Sequence, residues 1–147
     1  MCEDTMPTLT LTQHNFQSTV AGHPIVLVDW WAGWCGPCRQ FAPVYEASSD
    51  RHPEIAHGKV DTESEQALTA LANVDRFPTL MGFREGLLVF SQAGFLTADV
   101  LEEVVQQIRW LDMDQFRAAA HAASPAAAAE RMAGHAAGPA RYGWPGL

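Results

Sequence analysis

Two cysteines two residues apart, Cys35 and Cys38, follow directly on an apolar run from Ile25 to Trp31 that only Asp29 interrupts. Such a run fits a strand covered on both faces better than a surface strand. Beyond Cys38, the spacing of Phe41, Val44 and Tyr45 is helical, so the second helix begins at the cysteines. Pro43 lies inside that pattern and is expected to kink it. The arrangement brings two thiols within reach of a reversible disulfide, and so points to a redox enzyme.

The flanking sequence supplies the remaining elements. Leu9 to Val20 reads as a short first helix with Thr12 as its cap, ended by Gly22, His23 and Pro24. Ile55 to Val60 reads as a strand. Asp61, Thr62, Glu63 and Ser64 then offer turn and capping chemistry before a third helix marked by Leu68, Leu71 and Ala72. Thr79 to Phe83 and Leu87 to Phe90 read as two strands joined by a hairpin turn at Arg84, Glu85 and Gly86. Val100, Leu101, Val104, Val105 and Ile108 form the apolar stripe of a fourth helix, with acids early and Arg109 late. This order predicts an α/β protein with a central mixed sheet between helices on both faces.

With 147 residues, 48% of them hydrophobic, the chain supports one compact domain and an appendage. The predicted division is a domain over residues 1–110 and an extension over 111–147. In the extension, 13 of the 23 residues from Ala118 to Ala140 are alanine, which favours helix but leaves little to bury. Asp112 with Gln115 resembles a capping box, and Ser124 with Pro125 suits the start of another helix ending near Gly134. Residues Tyr142 to Leu147 read as unstructured.

A net charge of −8 with a single lysine, Lys59, argues against nucleic acid as a partner. No apolar run approaches the ~20 residues of a membrane span, and no basic stretch precedes one, so the cytoplasm is the expected compartment. Three cysteines cannot build a disulfide framework, and Cys2 is left unpaired. A zinc site needs about four ligands, and this C-x-x-C has no second pair and no nearby His at metal-like spacing.

The segment Val28 to Pro43, VDWWAGWCGPCRQFAP, closely resembles the active-site segment of thioredoxins, and Arg76 to Leu80, RFPTL, resembles their cis-proline loop. The likeness runs in order from about Leu9 to Ile108, includes Gly86 and Gly94, and excludes the alanine-rich extension. It implies the thioredoxin fold and thiol-disulfide exchange with disulfide-containing protein substrates. It also implies re-reduction by an NADPH-dependent thioredoxin reductase. No bound cofactor is expected beyond the redox-active disulfide itself, and a monomer is expected.

Only a thiolate attacks a disulfide, and a helix N-terminus favours one, which makes Cys35 the nucleophile and Cys38, one turn on and expected to be more buried, the resolving thiol. Gly36 permits close approach of a substrate backbone, and Pro37 at an early helix position loses no needed hydrogen bond. Asp29, a carboxyl in an apolar strand, is expected to have a raised pKa. By resemblance it takes the proton of Cys38. Thioredoxins commonly carry a lysine on the third strand near that aspartate, and His57 aligns there, which predicts a pH-sensitive resolving step. By resemblance the Phe77–Pro78 bond is cis and frees the Phe77 backbone to pair with an extended substrate segment, while Trp34, Gly94 and Phe95 line the same surface.

Three alternatives stay open. Disulfide isomerases and oxidases share the fold, although the Gly36–Pro37 dipeptide favours a reductase. A scaffold subunit docking partners through the extension is the third. The histidines His14, His23, His52, His121 and His135 read as ordinary surface residues.

Overall fold

The computed structural model describes residues 8–122. In chain order these form β1 (Thr8–Thr10), α1 (Phe16–Gly22), β2 (Ile25–Trp31), α2 (Gly36–Arg51), β3 (Ala56–Asp61) and α3 (Gln66–Leu71). They continue with β4 (Thr79–Arg84), β5 (Leu87–Ala93), α4 (Ala98–Arg109) and α5 (Met113–Ala122). The helix expected to restart near Asp112 is α5, and the Asp112 carboxylate accepts from the Gln115 N–H at 3.1 Å. Cys2 and the segment 124–147 lie outside the described residues.

The five strands form one sheet in the order β1-β3-β2-β4-β5. β3 runs parallel to both β1 and β2, whereas β4 is antiparallel to β2 and β5. β2 is therefore central, as its apolar run predicts. Alternation along it separates two cores. Val26, Val28 and Trp30 join Phe16 and Val20 of α1 and Leu68 of α3 on one face. Leu27 joins Phe41 and Tyr45 of α2 and Leu101, Val104, Val105 and Ile108 of α4 on the other.

Two local expectations change. Thr8–Thr10 is a strand and the first helix starts only at Phe16. Three residues hold no helical or strand period of their own, and it is pairing with His57, Gly58 and Lys59 that makes them β1. Thr12 is not the cap residue of α1, since Asn15 occupies that position and its side chain accepts from the Thr12 N–H at 2.7 Å instead. The hairpin is tight, with Glu85 and Gly86 at φ 52° and 82°. Positive φ at both central residues matches the right-handed twist of the strands, and only Gly86 adopts it freely.

Gly58 illustrates how close the layers stand. A Cβ there would overlap Leu11 Cδ1 and lie 2.8 Å from Leu11 Cγ, and Leu11 is itself buried. Gly58→Ala is expected to destabilise the domain by about 1–3 kcal/mol through overpacking. Urea unfolding of the two proteins measures it, and equal midpoints would show that Leu11 repacks freely.

Candidate active site

β2 ends at Trp31, and the chain turns through Ala32, Gly33 and Trp34 before α2 begins at Gly36. Cys35 is the N-cap of α2 and Pro37 falls within its first turn. This is where the chain needs neither a helical N–H from proline nor a side chain at Gly36, around whose missing Cβ the space is open. Cys35 and Cys38 are joined as a disulfide with Cα atoms 5.2 Å apart. The Cys38 N–H donates to Cys35 Sγ at 3.1 Å. That amide and the positive end of the helix favour negative charge on Cys35 rather than on Cys38.

The expected difference in burial between the two cysteines is not seen. Cys35 is 4% exposed and Cys38 5%. Ala32, Trp31 and Phe77 pack around both residues, so the asymmetry of the pair comes from the helix terminus and not from shielding.

The Phe77–Pro78 bond is cis. Cys35 Sγ lies 3.4 Å from the Phe77 carbonyl oxygen, and the Pro78 carbonyl accepts from the Gly94 N–H at 2.8 Å. Gly94 has φ 108°, a region that L side chains rarely enter. Trp34 meets Phe77 edge-to-face with ring centroids 5.7 Å apart and is otherwise 66% exposed. Phe95, also exposed, meets Phe41 in the same way at 6.2 Å. Trp34, Phe77 and the disulfide thus share one apolar surface.

Asp29 lies beneath this surface on the face of β2 that α2 covers. It lines a cleft of 190 Å³ with Trp31, Ala32, Gly33, Cys38, Arg39, Ala42 and Lys59. Its Oδ1 has no hydrogen-bond partner among the described residues. Burial pushes its pKa from 3.8 up to about 7, and the nearby Lys59 opposes the shift.

The lysine is the main correction to the sequence reading. In the β2/β3 register Lys59 stands opposite Asp29 and His57 opposite Leu27. Lys59 Nζ also lies 5.7 Å from the centroid of the Trp31 ring. The cation beside Asp29 is therefore Lys59 and not His57. The Nδ1 of His57 lies 3.0 Å from the Ile55 carbonyl, which only accepts, so Nδ1 donates and Nε2 accepts from the Ser48 hydroxyl at 3.0 Å. Burial pushes its pKa below 6.5, and the ring stays neutral. Lys59 is the one lysine of the chain, and strand alternation alone does not separate it from His57 two residues earlier. His52 is corrected as well: it is buried, with Nε2 2.8 Å from Glu102 Oε1, and links the end of α2 to α4.

Among the described residues no group of three or more His, Cys, Asp or Glu is placed to hold a metal ion. No described helix is long and apolar enough to cross a membrane.

The thioredoxin family model matches residues 7–107. The chain is 46% identical over 112 residues to a putative thioredoxin 2 of Streptomyces coelicolor, covering 76% of this chain and 84% of the relative. It is 38% identical over 96 residues to a thioredoxin of Alicyclobacillus acidocaldarius, covering 65% and 91%. Among solved structures, a mutant thioredoxin from Halobacterium salinarum superposes with a TM-score of 0.67 at 29% identity, covering 71% of this chain and 93% of that one. A dithiol that closes at a helix N-terminus beside a cis-proline exchanges disulfides, and with these likenesses the chain belongs to the thioredoxin family as a thiol-disulfide oxidoreductase.

Proposed function

We propose that the protein is a protein-disulfide reductase in which Cys35 is the nucleophile, Cys38 the resolving thiol and Asp29 the proton acceptor. The observation that carries this reading is the Cys38 N–H directed at Cys35 Sγ at the head of α2, which favours a thiolate at Cys35. In the first step the Cys35 thiolate attacks a substrate disulfide. A Cys35–substrate S–S bond forms, the substrate bond breaks, and the departing sulfur leaves as a thiolate that takes a proton from solvent. Cys38 then loses its proton to the Asp29 carboxylate and attacks Cys35 Sγ. The Cys35–Cys38 bond forms and the second substrate sulfur leaves, so two electrons have passed to the substrate. With a pKa of about 7, Asp29 accepts a proton at neutral pH and returns it through the cleft.

Trp34, Gly36, Pro37, Phe77, Pro78 and Gly94 form the substrate face, with the free backbone of Phe77 pairing to an extended segment. An NADPH-dependent thioredoxin reductase restores the dithiol, and the protein works as a cytoplasmic monomer in electron transport and redox homeostasis. Residues 1–110 are the thioredoxin domain and 111–147 an extension. Its first helix, α5, is held at the opposite end of the sheet, where Arg84 Nη1 donates to the carbonyls of Ile108, Arg109 and Leu111 and Arg117 pairs with Glu85.

The reduction potential of the Cys35–Cys38 pair tests the choice of reductase. Followed by tryptophan fluorescence in thiol buffers, it is expected at about −270 mV, the value of thioredoxin itself, whereas about −180 to −120 mV would make the protein an isomerase or an oxidant.

A further inference from the structure

Gly33 lies in the loop that leads from β2 to the dithiol, and charged side chains from two other elements take both of its backbone groups. Its N–H donates to Glu63 Oε1 at 3.2 Å, and its carbonyl accepts from Arg39 Nη2 at 2.8 Å. Glu63 comes from the turn after β3, and Arg39 from the start of α2. A Cβ on residue 33 would stand 3.2 Å from the same Glu63 oxygen, so the glycine lets the carboxylate approach.

We propose that Arg39 and Glu63 are positioning residues that, by gripping Gly33 from both sides, hold the adjoining Trp34 in place to receive protein substrates. Cys35 does not depend on this grip. Its N–H donates to the Ala32 carbonyl at 3.1 Å, and its sulfur is met by the Cys38 amide and lies beside the Phe77 carbonyl. Among the described residues Trp34 has one ring neighbour, Phe77, and is otherwise largely exposed. The direction of the indole is therefore set by the main chain that precedes it. Releasing Gly33 spreads Trp34 over more orientations, and a protein substrate must then restrict them on binding. A small disulfide, which meets only the sulfurs, is indifferent to the change. The inference rests on Trp34 belonging to the substrate face.

The test compares reduction of insulin with reduction of a small aromatic disulfide, 5,5′-dithiobis(2-nitrobenzoate). Glu63→Leu is expected to raise KM for insulin roughly 5- to 10-fold with kcat and the small-disulfide rate within about 2-fold, the pattern of lost binding rather than lost chemistry, and Arg39→Met is expected to raise KM for insulin by a similar factor. Glu63→Gln keeps an acceptor for the Gly33 N–H and is expected to behave as the parent protein. Trp34→Ala is expected to raise KM for insulin at least as much. If Glu63→Gln is as impaired as Glu63→Leu, charge and not the grip on Gly33 is responsible and the proposal is overturned. It is also overturned if insulin and small-disulfide rates fall together, which would mark a change in the dithiol itself. A raised KM in Trp34→Ala with unaltered clamp variants rejects the clamp alone. An unaltered KM in Trp34→Ala rejects the substrate-face reading and the clamp with it.

Discussion

A Cys38→Ser variant is expected to bond covalently to its substrate and stop there. The first attack needs only the Cys35 thiolate, and its stabilisers survive the substitution: the α2 N-terminus and the residue 38 N–H, which is a backbone group. Resolution needs a second sulfur one helical turn away, and serine oxygen is too poor a nucleophile to displace a thiolate from Cys35. Steady-state turnover should fall at least ~10³-fold, while a mixed disulfide accumulates that mass spectrometry detects and dithiothreitol releases. Cys35→Ser should lose turnover to a similar extent and form no adduct. The reverse pattern, with adducts on Cys38 in the Cys35→Ser protein, would exchange the roles of the two cysteines. Because the two residues are equally buried, this experiment distinguishes them where exposure does not.

The second large effect is on stability. With a folded-state pKa raised from 3.8 to about 7, Asp29 binds its proton more tightly in the native than in the unfolded chain. The contribution of this one group to native stability is thus fully present below pH 3.8, is lost as the pH rises from there, and stops falling above about 7. The penalty of the charged form at pH 8 is on the order of 4 kcal/mol, a large share of a domain's total. Asp29→Asn removes the titration while keeping the shape. The variant's stability relative to the parent is expected to improve by about 4 kcal/mol between pH 4 and pH 8, whatever constant cost its buried amide adds. Urea unfolding of the oxidised proteins across that range measures it. Parallel pH profiles would show that Lys59 and cleft water already neutralise the buried carboxylate. If Asp29 is the proton acceptor proposed above, the same variant should also resolve its mixed disulfides more slowly. Stability gained and speed lost at one position is what a carboxyl kept buried for chemistry predicts.

Much of the architecture was legible because its signals are local. The apolar run of β2, the helical spacing after Cys38, the Glu85–Gly86 turn and the Asp112 cap each lie within a few residues of the structure they specify. β1 was not legible, since three residues become a strand only by hydrogen bonding to β3. Glu63 was not legible for a similar reason, since it reaches Gly33 across a sequence separation of 30 residues, whereas Arg39 lies only 6 residues from it. His52 reads as a surface histidine until α4 brings Glu102 against it.

The aspartate and its lysine divide these two kinds of information most clearly. Burial of Asp29 and its raised pKa could be read from a carboxyl inside an apolar run, because desolvation needs only the certainty of a covered strand. Which cation stands beside it could not. The parallel pairing of β2 with β3 joins strands separated by a whole helix, and its register is chosen by packing across the sheet, where a shift of two residues keeps every side chain on its own face. Residues 57 and 59 both face α2, so alternation in the sequence leaves them equivalent. The tertiary register alone sets Lys59 opposite Asp29 and leaves His57 neutral between Ser48 and Ile55.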